Sequence, residues 1–447
     1  MSSKAWALIN AVGQTLQDLG FRERSKERPK DFTRDRKVGF VGVLSMILNL
    51  ARRTTQIELD QFRERLWPYQ TDESTYTKQS FGEARQKIRP EAFTELNTVF
   101  VNRYYDDEEY RTFRGFRVCA IDGSSQQLPD SPQLRAEYGV ATGKGTFAVA
   151  KARASQLYDV LNGIVVDARI APFRTGEREL ARQHVEAFLR LAIRQIATIM
   201  LFDRGYPSLP LLLYLISHHI RPVMRVPVSF YPKIIGVAKS NTWVTLTLSS
   251  AQARQVRAMG VEATAGTAVR LRVIKLRLST GQIETLVTTL TEEEMPEEAF
   301  DELYALRWGI EVHYGQEKYA LEIENFSGIT PRVIAQDYHA TILFANLSAV
   351  VKQEAEQQWD ARRDQYQRKY ERYRIHYRWW IATLKYRMIR WLWAKPPVDF
   401  ERQQRRFQST IVRLMRYIVP VIPGIITPRN KKRGRTNKFV ITLRRCL

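Results

Sequence analysis

The chain has 447 residues, 44% of them hydrophobic and 26% charged. That balance excludes wholesale disorder and allows roughly two to four domains. Lys and Arg total 70 against 47 Asp and Glu, a net charge of +23, so a polyanionic partner, nucleic acid or an anionic membrane surface, is expected ahead of a small-molecule substrate. Two cysteines, Cys119 and Cys446, are too few for a disulfide framework or a cysteine-rich zinc site. The longest apolar stretch, 209–216, falls far short of the ~20 residues that cross a bilayer, and the first residues carry no signal-like apolar run. The expectation is a reducing, cytoplasmic compartment with no membrane segment.

Residues 1–112 read as a helical region. Apolar residues recur at helical spacing in 6–19, 38–50, 57–66 and 93–101. Thr77 can cap a helix through Ile88, and Pro90 opens the next at its first turn. A helix, short turn and helix with Gln79, Arg85 and Lys87 facing outward suits a DNA-binding head; a bundle with a solvated basic face is the alternative.

Residues 113–226 change texture. Apolar runs at 116–122, 147–160 and 164–170 read as strands, and Asn162-Gly163 between the last two is a hairpin signal. A helix over 177–195, a strand over 196–202, a helix over 209–217 and a strand over 222–226 follow. Three strands able to form an antiparallel meander, followed by alternating helices and strands, predict a ribonuclease-H-like α/β core. Residues 227–290 alternate at period two around Trp243, 269–274 and 283–290, a β-rich insertion. Thr291 and Glu294 resemble a capping box, Pro296 sits in the first turn, and one long helix is expected to about Ala320. That helix closes the core segment 291–345. Residues 346–447 read as helical, basic and aromatic-rich, ending in a tail with eight basic residues and no acidic one from Arg429.

Asp122 and Asp203 each end an apolar run and are followed by Gly123 and Gly205. An unpaired carboxylate is poor core material, but a strand end holds it rigidly at a crevice. Two such strands in one sheet bring two carboxylates together, and a divalent cation relieves their repulsion. Either one alone reads equally as a strand-terminating turn residue. Tyr304, Arg307, Glu311 and Lys318 follow at offsets of 3, 7 and 14, which share one helical stripe at ~100° per residue. The stripe sets a carboxylate between two cations and a phenol; its plain reading is a solvated face with an Arg307–Glu311 pair.

Asp203-Arg-Gly205-Tyr206 and Tyr304-x2-Arg307-x3-Glu311-x6-Lys318 resemble the signatures of DDE transposases of the fourth insertion-sequence family, and Asp122-Gly123-Ser124 matches that family's first acid. The stretches 321–328 and 80–93 are also similar. The likeness covers about residues 30–345 with no departure in the motifs.

The resemblance implies a metal-dependent DNA transposase with a ribonuclease-H-like core interrupted by the β-rich insertion. Asp122, Asp203 and Glu311 would bind two Mg2+ ions, with Mn2+ able to substitute, for in-line phosphoryl transfer. Tyr304, Arg307 and Lys318 would bind phosphates near the scissile bond. A hairpin route would unstack a terminal base onto an aromatic, with Trp243 and Trp308 as candidates beside their plain reading as packed tryptophans. Double-stranded DNA is the implied partner, as terminal inverted repeats and target, with a homodimer on DNA and a nucleoid-associated location. Two other readings stay open: a catalytically idle DNA-binding or domesticated relative, and a nucleic-acid-binding scaffold with structural acids.

Overall fold

The computed structural model describes residues 3–34, 39–49, 54–66, 76–107, 109–141, 148–193, 196–278, 281–362, 369–370, 372–394 and 398–421. The basic tail, Cys446 and the loop 143–146 lie outside them. The chain divides into two compact units: residues 1–104, 126–152 and 316–447 in the first, and 105–125 and 153–315 in the second. Among the described residues no helix is long and apolar enough to cross a membrane.

The strands are β1 (Arg117–Gln127), β2 (Val140–Ala141), β3 (Val149–Asp159), β4 (Ile164–Pro172), β5 (Thr198–Phe202), β6 (Arg221–Val226), β7 (Thr242–Thr247), β8 (Ala268–Arg277) and β9 (Ile283–Thr288). In the second unit they order as β4-β3-β1-β5-β6-β9-β8-β7. β1, β5 and β6 are parallel, with Val118 opposite Ile199 and Ile199 opposite Arg221. The Val160 amide donates to the Val118 carbonyl, so β3 returns antiparallel to β1. Gly163, at φ +67°, takes the left-handed corner of the β3–β4 turn. An antiparallel meander followed by parallel strands is the ribonuclease-H-like arrangement.

Why the central strands lack alternation is plain from burial. Cys119, Ala120, Ile121, Met200, Leu201, Val223 and Met224 are all buried, as in a sheet covered on both faces. Helices Glu177–Arg190 and Leu209–Ser217 supply the crossovers. β7, β8 and β9 pair antiparallel and join β6 through β9, so the β-rich segment lengthens the core sheet. It also contains a helix, Ser250–Ala258, begun by a Ser249–Gln252 capping box.

The first unit is mainly helical. Helices Lys4–Gln17, Phe40–Leu48 and Glu91–Tyr104 pack with the long helix Pro331–Asp360. That helix starts where Thr330 caps it and Pro331 occupies its first turn. Two short strands, β10 (Arg372–Ile375) and β11 (Ile418–Val421), pair antiparallel. β1 and β3 run into this unit at their far ends, where β2 pairs with Val149 and Ala150.

Thr77 caps the helix Lys78–Arg85 as its sequence predicts. The helix ends at Arg85, three residues short of Ile88, and Arg85 points inward. It is 3% exposed and donates to Gln336 Oε1 at 2.8 Å, Ser327 Oγ at 2.5 Å and Asp337 Oδ1 at 3.0 Å. Helical spacing alone had put this arginine on the outer face. Asp337 draws it in, because a buried carboxylate needs a charged, hydrogen-bonding partner. Lys87 is half-buried, and its carbonyl accepts from the Glu27 amide.

Candidate active site

β1 stays buried through Ile121 and then emerges, so Asp122 is the first side chain to leave the core. The strand continues to Gln127, beyond the end its apolar run predicts. The Asp122 carbonyl accepts from Tyr314 Oη at 2.8 Å and from Ser155 Oγ at 3.1 Å, and the Gly123 amide donates to Asp122 Oδ1 at 2.8 Å. Burial pushes the Asp122 carboxyl up to about 6; the Gly123 amide and Arg307 work against the shift, while Glu311 and Asp203 add to it. Asp203 and Glu311, distant in sequence, thus lie near enough to Asp122 within the second unit to act on its carboxyl.

Asp203 follows the last residue of β5. Its Oδ1 lies 3.7 Å from Arg225 Nη1, and Arg225 also pairs with Glu284 at 2.7 Å. A Cβ at Gly205 would lie 2.9 Å from Glu177 Oε2, so a side chain there would push the Glu177 carboxylate aside. Glu177 pairs with Arg153 at 2.7 Å.

Tyr304, Arg307 and Glu311 are not on one uninterrupted helix. Helix Ala299–Ala305 is followed by Trp308–Tyr319. The Arg307, Gly309 and Ile310 amides each donate three residues back, to Tyr304, Leu306 and Arg307. This is a 3₁₀ tightening of a kind found at functional positions. The Thr291–Glu294 reciprocal bonds form as the sequence predicts, but the helix starts only at Ala299. Gly309 fits against Val160, 3.5 Å from where its Cβ would stand.

The tightened turn places Arg307 among the acids. It is 4% exposed; Nη2 donates to Glu311 Oε1 at 3.0 Å and Nη1 lies 4.0 Å from Asp122 Oδ2. Its guanidinium also lies over Trp308, 5.3 Å from the ring centre, and Trp308 is 54% exposed. The Tyr304 hydroxyl is buried and donates to the Phe202 carbonyl at 3.3 Å, and burial pushes its pKa up. Tyr304 therefore fastens the helical segment to the strand that ends beside Asp203. Lys318 lies two turns beyond Glu311 on the same helix, 3.6 Å from Glu324. Trp243, on the edge strand β7, carries Arg270 over its ring at 4.8 Å.

Carboxylate oxygens suit a hard divalent cation. Among the described residues, three buried polar atoms here have no hydrogen-bond partner: Arg307 Nε, Asp203 Oδ1 and the Tyr206 hydroxyl, whose pKa is raised by burial and by Asp122, Glu177 and Asp203 nearby. The donor set thus fits a cation. As the side chains stand, Arg307 holds the space between Asp122 and Glu311, and no three acidic, histidine or cysteine residues among the described ones form a metal-holding group.

Several participants escaped sequence reasoning. Glu177 reads as an ordinary acidic residue in a helix's first turn, and Tyr314 as a core aromatic. A buried chain runs from Asp167 Oδ2 to His184 Nδ1 at 2.7 Å, from His184 Nε2 to Ser155 Oγ at 2.9 Å, and on to the Asp122 carbonyl. Its composition is that of a nucleophilic triad. Ser155 is only 1% exposed and gives its proton to a backbone carbonyl, so the chain works as a strut under Asp122. Its three members come from β3, β4 and the next helix, and no spacing motif announces them.

The chain is similar to the transposase InsG of insertion sequence element IS4 from Escherichia coli (strain K12), at 24% identity over 273 residues. The match covers 59% of this chain and spans 59% of that relative's length. A cryo-EM structure of a piggyBac transposase synaptic complex with hairpin DNA aligns at a TM-score of 0.42 and 8% identity, covering 95% of this chain and 86% of that one. The family model described as a transposase DDE domain matches residues 114–347, more than half of the chain and the whole stretch that carries the three acids. The chain belongs to the transposase DDE domain family.

Proposed function

We propose that the chain is a DNA transposase that cuts the ends of its own element and joins them to a target by metal-dependent phosphoryl transfer. The observation that supports this most is the convergence of Asp122, Asp203 and Glu311, from two parallel strands and a helix, around Arg307. Asp122, Asp203 and Glu311 would hold two Mg2+ ions, or Mn2+ in their place. When bound, such ions activate the attacking oxygen and stabilise the leaving one.

The chain's own residues do the rest. Tyr314 and Ser155 fix the Asp122 backbone, and Tyr304 fixes the end of β5. Arg307 balances the charge of Glu311 and Asp122, and its planar fork would suit a DNA phosphate if a cation were held by the carboxylates. Trp308 is exposed next to it and offers a face on which an unstacked terminal base can rest. Trp243 and Lys87 are further proposed DNA contacts, and Lys318 a phosphate contact on the catalytic helix. Arg85 is engaged in its buried network, so we assign it a structural part. Double-stranded DNA is the proposed partner, as inverted-repeat ends and as target, with two chains pairing two ends.

The test is cleavage of a DNA fragment spanning the chain's own locus and its flanks, in Mg2+, with Glu311→Gln beside it. The expected result is discrete cuts at two inverted positions, lost in the variant. Specific binding without cutting would replace the proposal with that of an idle relative. Neither binding nor cutting would remove it.

A further inference from the structure

Several arginines of this chain are matched to carboxylates. Arg24 pairs with Glu95, Arg135 with Asp130, Arg182 with Glu179, Arg221 with Glu294 and Arg332 with Glu27. One group in the first unit stands apart because its arginines lie together without such partners. It consists of Arg65 on helix Thr55–Leu66, Arg387 and Arg390 on helix Arg387–Leu392, and Arg402, Arg406 and Arg413 on helix Val398–Leu414. Among the described residues none of the six has a carboxylate partner.

The fold holds these six together. The helix Val398–Leu414 buries Phe407, Ile411 and Leu414, which turns Arg402, Arg406 and Arg413 outward at offsets of 4 and 7. Arg390 Nη2 donates to the Arg65 carbonyl, and Arg387 Nη1 donates to Thr410 Oγ1 at 2.7 Å. Arg65 lies over the Tyr386 ring at 4.4 Å. Burial, then Arg406, Arg65 and Arg402, hold Arg390 below the usual arginine value; burial, then Arg413 and Arg390, do the same for Arg387. Clustered like charges oppose the compact state, so the arrangement is at odds with stability alone.

We propose that this arginine cluster is a binding surface for the phosphate backbone of duplex DNA, carried by the first unit and additional to the carboxylate site. Its length argues for a polymer. Arg402 to Arg413 is eleven residues, ~16 Å at ~1.5 Å per residue, and one DNA strand places a phosphate every ~3.4 Å. A single phosphate or a mononucleotide would engage one end of it. Composition argues for a duplex over a single strand: Tyr386 is buried, so the cluster has no exposed ring of its own on which unpaired bases stack. Duplex DNA as the particular polyanion rests on the transposase reading; the affinity for polyphosphate does not.

The test uses the full chain and a short duplex of sequence unrelated to the element, titrated between 50 and 200 mM salt. Each phosphate contact contributes about 0.9 to the slope of log affinity on log salt. Arg402, Arg406 and Arg413 are exposed, so R402Q/R406Q/R413Q should melt with wild type. The expected result is a slope lower by roughly 2–3 and at least about tenfold weaker binding, irrespective of sequence. The corresponding triple lysine variant should recover most of both. Unchanged slope and affinity would overturn the proposal, as would a wild-type chain that binds no duplex. A loss seen on phosphatidylglycerol vesicles but absent on duplex would also overturn it, in favour of a membrane surface. Wild-type chain that binds with full slope yet cuts nothing in Mg2+ would sink the transposase reading alone and leave this surface to be judged by the triple variant.

Discussion

At the scale of single residues, the site is organised by what surrounds each acid. Asp122 is held by its backbone on two sides, which fixes where its carboxyl can reach. Arg307 supplies charge balance without tying the cluster shut, since only its contact with Glu311 is of hydrogen-bond length. The strut below Asp122 makes a testable statement about pH. Burial works to raise the Asp167 pKa, and the hydrogen bond and charge of His184, with Arg169, more than reverse that and hold it below the usual value. A depressed carboxyl contributes stability above its unfolded value near ~4, and loses it as pH falls through the folded one. Asp167→Asn should therefore cost roughly 1–3 kcal/mol at neutral pH, with the gap to wild type closing below about pH 4. Thermal melting across pH 3–7 would show it. A constant offset over that range would mean that the Asp167 charge has no part in holding His184.

At the scale of elements, close approach decides more than propensity. Gly13 sits inside helix Lys4–Gln17, where alanine is ordinarily favoured by about 1 kcal/mol. A Cβ at that position would overlap the Leu392 carbonyl, which also accepts from Gln17 Nε2 at 3.1 Å. Backbone cannot swing aside as a side-chain end can, so Gly13→Ala should destabilise despite that propensity gain, by about 1–3 kcal/mol. A neutral or raised melting temperature would show that the two helices slide freely. Elements of this kind explain what the sequence could convey. The strands around Asp122 and Asp203 were legible because buried parallel strands leave unbroken apolar runs. The spacing from Tyr304 to Lys318 was legible because offsets of 3, 7 and 14 match one helical stripe, although the structure breaks that helix before Trp308. The tightening at Arg307 was invisible, since ordinary helix formers fill it and only the packing of Gly309 on Val160 marks its place. The inward turn of Arg85 was equally hidden. Its partners lie some 250 positions away, and nothing local separates an arginine facing Asp337 from one facing water.

At the scale of the whole molecule, the two ends of the sequence share one core. Trp6 is fully buried, with Phe400 and Phe407 each 5.4 Å from its ring centre, and Trp391 packs on Phe407 at 5.0 Å. Glu58, also fully buried, accepts from Lys385 Nζ at 2.9 Å on both oxygens and from the Tyr386 hydroxyl at 3.3 Å. Removing the C-terminal helices would thus leave Trp6 facing solvent and a carboxylate without its counter-ion, and each loss is heavy. Truncating one large aromatic contact costs about 3–5 kcal/mol, and stranding a buried charge a similar amount. Those sums rival the entire stability of an ordinary domain, about 5–15 kcal/mol. It follows that the N-terminal helices should not fold as an isolated DNA-binding fragment. A chain ending at residue 376 is expected to lose amide-exchange protection throughout 4–17 and 55–66. The strands that lead to Asp122 and Asp203 belong to the other unit, so protection of β1, β5 and β6 should persist. If 4–17 stayed protected in the shortened chain, the shared core would be dispensable and the N-terminal region would stand as a module in its own right.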